Sequence, residues 1–133
     1  LFISNSRRYV ELSSKLKIVD FDVKLIGTSN VAPKTNRFDF TLQFQTLIDE
    51  QAQFYDNPLI MLLKLLDQLK IKNVYLAGFD GYSTSERSDY VNPEMEYSFT
   101  KQKAIEINND TKSGLARLNL SAPPIFITPS IYN

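Results

Sequence analysis

The stretch from Asp56 to Tyr82 limits what this chain can fold into more than any other part of it. Asp56 or Asn57 offers an N-cap oxygen, and Pro58 at the first helical position gives up only an N–H that would have no partner there. From Pro58 to about Lys70, Leu59, Leu62, Leu63, Leu66 and Leu69 make one apolar face, which Ile60, Met61 and Leu65 widen. Only Lys64, Asp67 and Gln68 form a polar stripe, so the predicted helix is covered on most sides. Directly after it, Val74-Tyr-Leu-Ala77 is a continuous apolar strand that runs into Gly78-Phe-Asp-Gly-Tyr82. A buried helix feeding an apolar strand is the pattern of a crossover onto a parallel sheet covered on both faces. The expected fold is α/β with a mostly parallel sheet, and the turn after Ala77 should stand at the sheet edge where open α/β proteins bind ligands.

The flanking sequence extends this pattern. Leu1-Phe2-Ile3 reads as a strand ended by Ser4-Asn5, and a helix capped by Asn5 or Ser6 should follow, with Val10, Leu12 and Leu16 on its apolar face. Val23 to Ile26 is a second strand closed by Gly27-Thr-Ser-Asn30, and Val31 to Arg37 is a loop. Phe38, Phe40, Leu42 and Phe44 alternate with polar residues, the period of a half-buried strand. Tyr82 to Tyr97 is polar and aperiodic and reads as a long loop. A helical region from about Tyr97 to Leu118 should be broken at Asn108-Asn109-Asp110 and at Gly114. Pro123-Pro124 then introduces a last strand, Ile125-Phe-Ile127, ended by Thr128-Pro-Ser130.

At 133 residues the chain fits one domain, residues 1–133, able to bury roughly two-thirds of the surface its unfolded form exposes. Fifteen basic and fifteen acidic residues cancel, so the field that draws nucleic acid or an anionic membrane is missing, and neither partner is expected. The longest apolar run, Leu59 to Leu66, is interrupted by Lys64 and falls short of the roughly 20 residues that span a bilayer. Leu1 to Asn5 is too short for a signal peptide, and with no cysteine to argue an oxidising compartment the default expectation is cytoplasmic. The chain opens on Leu1 without an initiator Met, as a fragment of a longer protein would, although a trimmed terminus would look the same.

Absences narrow the chemistry further. Without histidine or cysteine there is no His-containing triad, no zinc site of ordinary composition and no imidazole base. Gly27, Gly78, Gly81 and Gly114 cannot be arranged as a dinucleotide fingerprint or a Walker loop. No cofactor or metal is therefore assigned to the chain. Asp20 with Asp22, and Glu94 with Glu96, read as solvated charge in turns.

Four predicted strands end in small polar groups: Ser4-Asn5, Thr28-Ser29-Asn30, Asp80-Gly81-Tyr82 and Thr128-Pro129-Ser130. If the strands are parallel, all four ends share one sheet edge and form a candidate pocket, with Asn5, Ser29, Asn30, Asp80, Tyr82, Thr128 and Ser130 as its polar lining. The same residue types also close turns and cap helices in every fold. Arg7 and Arg8, just inside the first helix, could meet an anion near its positive end or pair with surface carboxylates. Asp80 could bind a sugar or ribose hydroxyl, hold a divalent ion, act as a base, or cap its turn. Tyr82 could stack on a base or sugar, or shield the sheet edge. No residue is assigned a catalytic role.

Together, Phe2-Ile-Ser-Asn-Ser-Arg-Arg-Tyr9, Gly27-Thr-Ser-Asn30, Asp56-Asn-Pro-Leu-Ile-Met-Leu-Leu63, Val74-Tyr-Leu-Ala-Gly-Phe-Asp-Gly-Tyr82 and Phe126-Ile-Thr-Pro-Ser-Ile-Tyr132 resemble a bacterial C-terminal domain. That domain follows an HMG-CoA-lyase-like barrel in proteins named 4-hydroxy-2-oxovalerate aldolases, often from polysaccharide gene clusters. The Ala-Gly-Phe-Asp-Gly-Tyr element is the most specific part. More loosely, the helix and strand ending in Gly78-Phe79-Asp80 are similar to a unit of the Rossmann-like group that includes bacterial sialyltransferases and an archaeal hydroxymethylpterin pyrophosphokinase, although no histidine here matches the sialyltransferase base.

The resemblance implies a Rossmann-like three-layer domain with a mostly parallel sheet of about five strands, forming the C-terminal part of an aldolase-like protein. Its partner would be the upstream barrel, which would hold the lyase centre and any divalent metal. Within this chain the resemblance implies an accessory domain that binds a small anionic, sugar or nucleotide-type ligand at the carboxyl edge. Two other expectations stand beside it: a nucleotide-dependent transferase using Asp80, and a structural domain serving assembly or self-association.

Overall fold

The computed structural model describes residues 1–13, 24–31, 38–85, 90 and 93–133. Its first strand, β1 (Phe2–Ile3), pairs in parallel with β2 (Ile26–Thr28), which pairs in parallel with β3 (Phe40–Leu42). Further along, β4 (Tyr75–Leu76) pairs in parallel with β5 (Ile125–Phe126), in the register Tyr75↔Ile125 and Leu76↔Phe126. The α/β character and the parallel pairing match the expectation, but the single sheet of about five strands does not form. The strands divide into a three-stranded and a two-stranded sheet. Strands of two or three residues give each ladder few hydrogen bonds, and side-chain packing on a shared helix takes over the work of joining the two sheets.

That helix is α3 (Pro58–Gln68), which follows α1 (Ser6–Ser13) and the short α2 (Phe44–Leu47). Asn57, not Asp56, caps it, its Oδ1 accepting the N–H groups of Leu59 and Ile60. One side of α3 puts Met61 and Leu65 against Leu47, with Phe2 of β1 and Leu42 of β3 packed beside them. The other side puts Leu59 and Leu63 against Leu76 of β4, with Phe126 of β5, Leu115 and Leu118 alongside. An almost continuously apolar helix is thus explained by two sheets that each need a cover. The expected face is trimmed at its end, since Leu69 is 58% exposed. The chain leaves the helix there, with Lys70 in the left-handed region at φ 59°. The N–H of Ile71 closes this exit on the carbonyl of Leu66 and that of Lys70 on Asp67, the pattern of a Schellman motif.

Other elements shift from expectation for local reasons. In α1, Asn5 Oδ1 accepts the Arg8 N–H at 3.0 Å, fixing Asn5 as the cap. Tyr9 is buried in that helix, its ring 5.4 Å from that of Phe38, whereas Val10 is 62% exposed. Leu16, Val23, Asp20, Asp22, most of the predicted loop 31–37 and part of the loop 82–97 lie outside the described residues. The alternating segment from Phe38 forms only the short β3, because the Ser29 N–H bonds to Leu42 O and Ser29 Oγ accepts the Phe44 N–H. These two bonds end the ladder and turn the chain into α2.

The largest correction concerns the region from Tyr97 to Leu118. A 3-10 turn (Pro93–Met95) leads to α4 (Ser98–Gln102) and then α5 (Ala104–Arg117), and the break falls at Lys103. Asn108, Asn109, Asp110 and Gly114 are all inside α5. Asn108 and Asp110 bond to other segments instead of competing with their own backbone. At Gly114 a Cβ would sit 3.2 Å from Ile60 Cδ1, so the missing side chain lets α5 approach α3 closely.

Candidate functional site

The carboxyl ends of β1, β4 and β5 open onto one cavity of about 330 Å³. Asn5 and Arg8 reach it from the start of α1, and Asp56, Asn57, Pro58 and Leu59 from the start of α3. Phe79 and Tyr82 enter after β4 and Tyr132 after β5, while Tyr97, Phe99, Thr100, Ile107 and Thr111 come from α4, α5 and the approach to them. Phe54 and Tyr90 complete the aromatic part. The cavity falls at the low end of the range typical of small-molecule sites, roughly 300–1,000 Å³, and has their composition of mainly apolar and aromatic walls with a few polar groups.

Its charged corner is built around Tyr97. The guanidinium of Arg8 lies 4.0 Å from the centre of the Tyr97 ring and that of Arg7 4.2 Å from it, with Arg8 also 5.6 Å from the ring of Tyr90. Glu11 accepts from Arg7 Nε at 3.0 Å and from Arg8 Nη1 at 3.3 Å, and the Tyr97 hydroxyl donates to it at 3.1 Å. Desolvation opposes ionisation of Glu11, but the bonds from Arg7 and Tyr97 and both arginine charges outweigh it and hold the carboxyl below its ordinary range. Arg8 is the more covered of the two, its side chain 18% exposed against 70% for Arg7.

The wall opposite is a chain of hydrogen bonds carried by α5. Asn57 Nδ2 donates to Thr111 Oγ1 at 2.9 Å, and the Tyr132 hydroxyl donates to Asn108 Oδ1 at 2.8 Å. Burial, the larger effect, pushes the Tyr132 phenol up against an opposing pull from Thr111. Asn108 then clamps the loop after β4, accepting the Tyr82 N–H at 3.0 Å and donating to Tyr82 O at 2.7 Å. Asp110 holds the other loop, accepting the N–H groups of Gln53 and Phe54 at 3.1 and 2.8 Å. Burial, aided by its bond to Tyr90, pushes the Tyr82 phenol well above its ordinary range. Burial also raises Tyr97. Tyr82, Tyr97 and Tyr132 are therefore neutral hydroxyls at physiological pH.

The predicted site residues separate into three groups. Asn5, Arg8 and Tyr82 share the cavity. Asp80, Thr128 and Ser130 stand together on a neighbouring open depression with Gly78, Pro129 and Ile131. There Thr128 Oγ1 accepts the Gly78 N–H at 3.0 Å and lies 3.5 Å from Asp80 Oδ1, and Ser130 Oγ donates to Phe79 O at 2.5 Å. Ser29 and Asn30 are occupied in the framework, Asn30 Nδ2 donating to Ser4 O at 3.1 Å and its Oδ1 accepting from Thr28 at 2.5 Å. Arg7 sits beside the cavity on the solvent side. Residue-by-residue reading missed Asn108, Asp110 and Thr111, whose only sequence signal was a polar run inside an otherwise helical pattern.

Among the described residues, no three acidic, histidine or cysteine side chains gather as a metal site, and no helix is long and apolar enough to cross a membrane. No protein-family model, curated protein or solved structure matches this chain.

Proposed function

We propose that this chain is an accessory ligand-binding domain of an aldolase-like protein, taking a small anionic, sugar or nucleotide-type ligand in the cavity at the carboxyl ends of β1, β4 and β5. The observation that carries the binding part is the meeting of Asn5 and Arg8, which follow β1, with Tyr82, which follows β4, around one aromatic-lined space. Arg8 would face the anionic group, Asn5 its neighbouring polar atoms, and Tyr82 with Tyr132 the ring. The link to a lyase rests on the resemblance of the Phe2–Tyr9 and Val74–Tyr82 segments. In that reading the lyase centre and any divalent metal belong to the upstream barrel.

The test is thermal unfolding of the full chain with UMP, UDP, glucose and glucuronate, with and without magnesium. A ligand at 100 times its Kd adds about 2.7 kcal/mol, and Arg8→Ala should remove most of the shift. An unchanged shift in Arg8→Ala would move the binding site elsewhere. Aldolase turnover of the longer parent, measured with this domain present and deleted, tests the accessory role.

A further inference from the structure

We infer that a second copy of this chain docks on the outer face of the β4–β5 sheet, making a two-fold dimer in which the two sheets stack face to face with their strands antiparallel. The inner face of this sheet is taken: Leu76 and Phe126 pack with Leu59 and Leu63 of α3, Leu115 of α5 and Leu118. Pairing runs one residue past the strands, since the Ile127 N–H bonds to Leu76 O as that of Ile125 does to Val74 O. Side chains alternate along such segments, so Tyr75 and Ala77 on one, and Ile125 and Ile127 on the other, stand on the face away from α3. Tyr75 is 61% exposed, Ile125 50% and Ile127 63%, and Ala77, Pro123 and Pro129 are exposed as well. A parallel sheet ordinarily carries cover on both faces, and this one presents an apolar face to solvent.

Area and charge both select a second copy as the occupant. Those six residues together offer roughly 500 Å² of surface, more than scattered apolar side chains do. Two such patches pressed together bury about 1,000 Å² in all, which reaches the lower bound of a specific interface. Between its two ends the face carries no charge. Lys72 precedes β4 and Asp80 follows it, at equal sequence separations from Leu76, and both are exposed. Neither forms an ion pair with a described residue. A two-fold axis crossing the strands at Leu76 brings Lys72 of one copy over Asp80 of the other, twice, with Tyr75 and Ile127 of both copies in the middle. A patch that meets itself and a charge pair that exchanges across the axis are what an isologous interface requires. The apolar centre supplies the affinity, and the charges at its ends fix the orientation.

Sedimentation velocity of the full chain from micromolar to millimolar concentration tests this. The native chain should pass from monomer to dimer and stop there. Ile127→Lys sets like charges against each other near the axis and should raise the dimer Kd at least about tenfold, or 1.4 kcal/mol, with an unchanged far-ultraviolet circular dichroism spectrum. Lys72→Glu should raise it about fivefold, the weight of two exposed ion pairs, and adding Asp80→Lys should restore the native value. Both of those residues are exposed, so the charge reversal decides the question even if Ile127→Lys does not fold. A chain that stays monomeric throughout would overturn the dimer and leave the face to a different polypeptide, and assembly beyond the dimer would overturn the two-fold arrangement. A dimer that a folded Ile127→Lys leaves as strong as before uses another face. One that is indifferent to Lys72→Glu has another orientation, and either result sinks the proposal.

Discussion

Helices α3 and α5 lie against each other and hold the molecule together by opposite means. α3 works through apolar area, with Met61 fully buried and Leu63 2% exposed between the two sheets. α5 works through directed polar contacts: Asn108, Asp110 and Thr111 each fasten a different segment, and only Ala104, Ile107, Thr111 and Gly114 are buried on it. Apolar packing is non-directional and tolerates small changes in shape, so it fixes which elements meet. Hydrogen bonds fix orientation, so α5 decides how the loops stand around the cavity. Stability should reside mainly in the first helix and site geometry in the second.

The largest effect expected from this contrast is on α3. Leu63→Ala removes a side chain packed with Leu59 and Leu76 and should lower unfolding stability by about 2–5 kcal/mol. Denaturant unfolding measures it, and a loss below about 1 kcal/mol would mean that the two sheets do not depend on their shared helix.

Next in size is Asn108→Ala, which leaves the Tyr82 N–H, Tyr82 O and the Tyr132 hydroxyl without their partner. The expected loss is about 1–3 kcal/mol, and its distribution is the informative part. Hydrogen exchange should speed up at the Tyr82 amide while the amides in the middle of α3 keep their protection relative to global unfolding. Uniform loss across both helices would erase the distinction drawn between them.

The same contrast explains what could be read from the sequence. α3 was legible because burial leaves a periodic apolar record, and because Asn57-Pro58 is a local start signal whose meaning needs no distant partner. Asn5, Arg8 and Tyr82 were legible as candidates because each follows a strand, and parallel strands bring their ends to one side. Asn108-Asn109-Asp110 misled, since short polar side chains break helices by bonding to their own backbone, and here distant loops claim those bonds instead. The split of the sheet was hidden for a related reason. An apolar run such as Val74 to Ala77 shows that a strand is buried, but not that only Tyr75 and Leu76 find a ladder partner.

A smaller effect should come from the ion pair that anchors the end of α5. Arg117 donates to Asp49 Oδ2 at 2.6 and 3.1 Å, near the helix C-terminus where a cation is favoured. Desolvation raises the Asp49 pKa, but bonds from Arg117 and the Gln51 N–H and the nearby charges prevail, so the folded value lies below the ordinary 3.8. A depressed carboxyl contributes its stability fully above its unfolded pKa and loses it as pH falls through the folded value. Stability of the native chain should therefore decline below about pH 4, more steeply than in Asp49→Asn. A double-mutant cycle with Arg117→Met should give a coupling of about 0.5–1 kcal/mol; zero coupling would leave α5 anchored by its loops alone.

The smallest expected change is also the only stabilising one, and it tests whether the exit of α3 is as well fitted as its middle. Lys70 holds φ at 59°, a conformation that costs a residue with a Cβ about 1–2 kcal/mol and glycine little. Lys70→Gly removes that strain, but the glycine adds freedom to the unfolded chain worth about 0.5–1 kcal/mol, so the net gain should be near 0.5 kcal/mol. The backbone bonds from Lys70 to Asp67 and from Ile71 to Leu66 survive the change. The denaturant midpoint should thus rise with an unchanged slope. A fall would mean that the Lys70 side chain supports the helix end, and that the α3 terminus, like α5, depends on a directed side-chain contact.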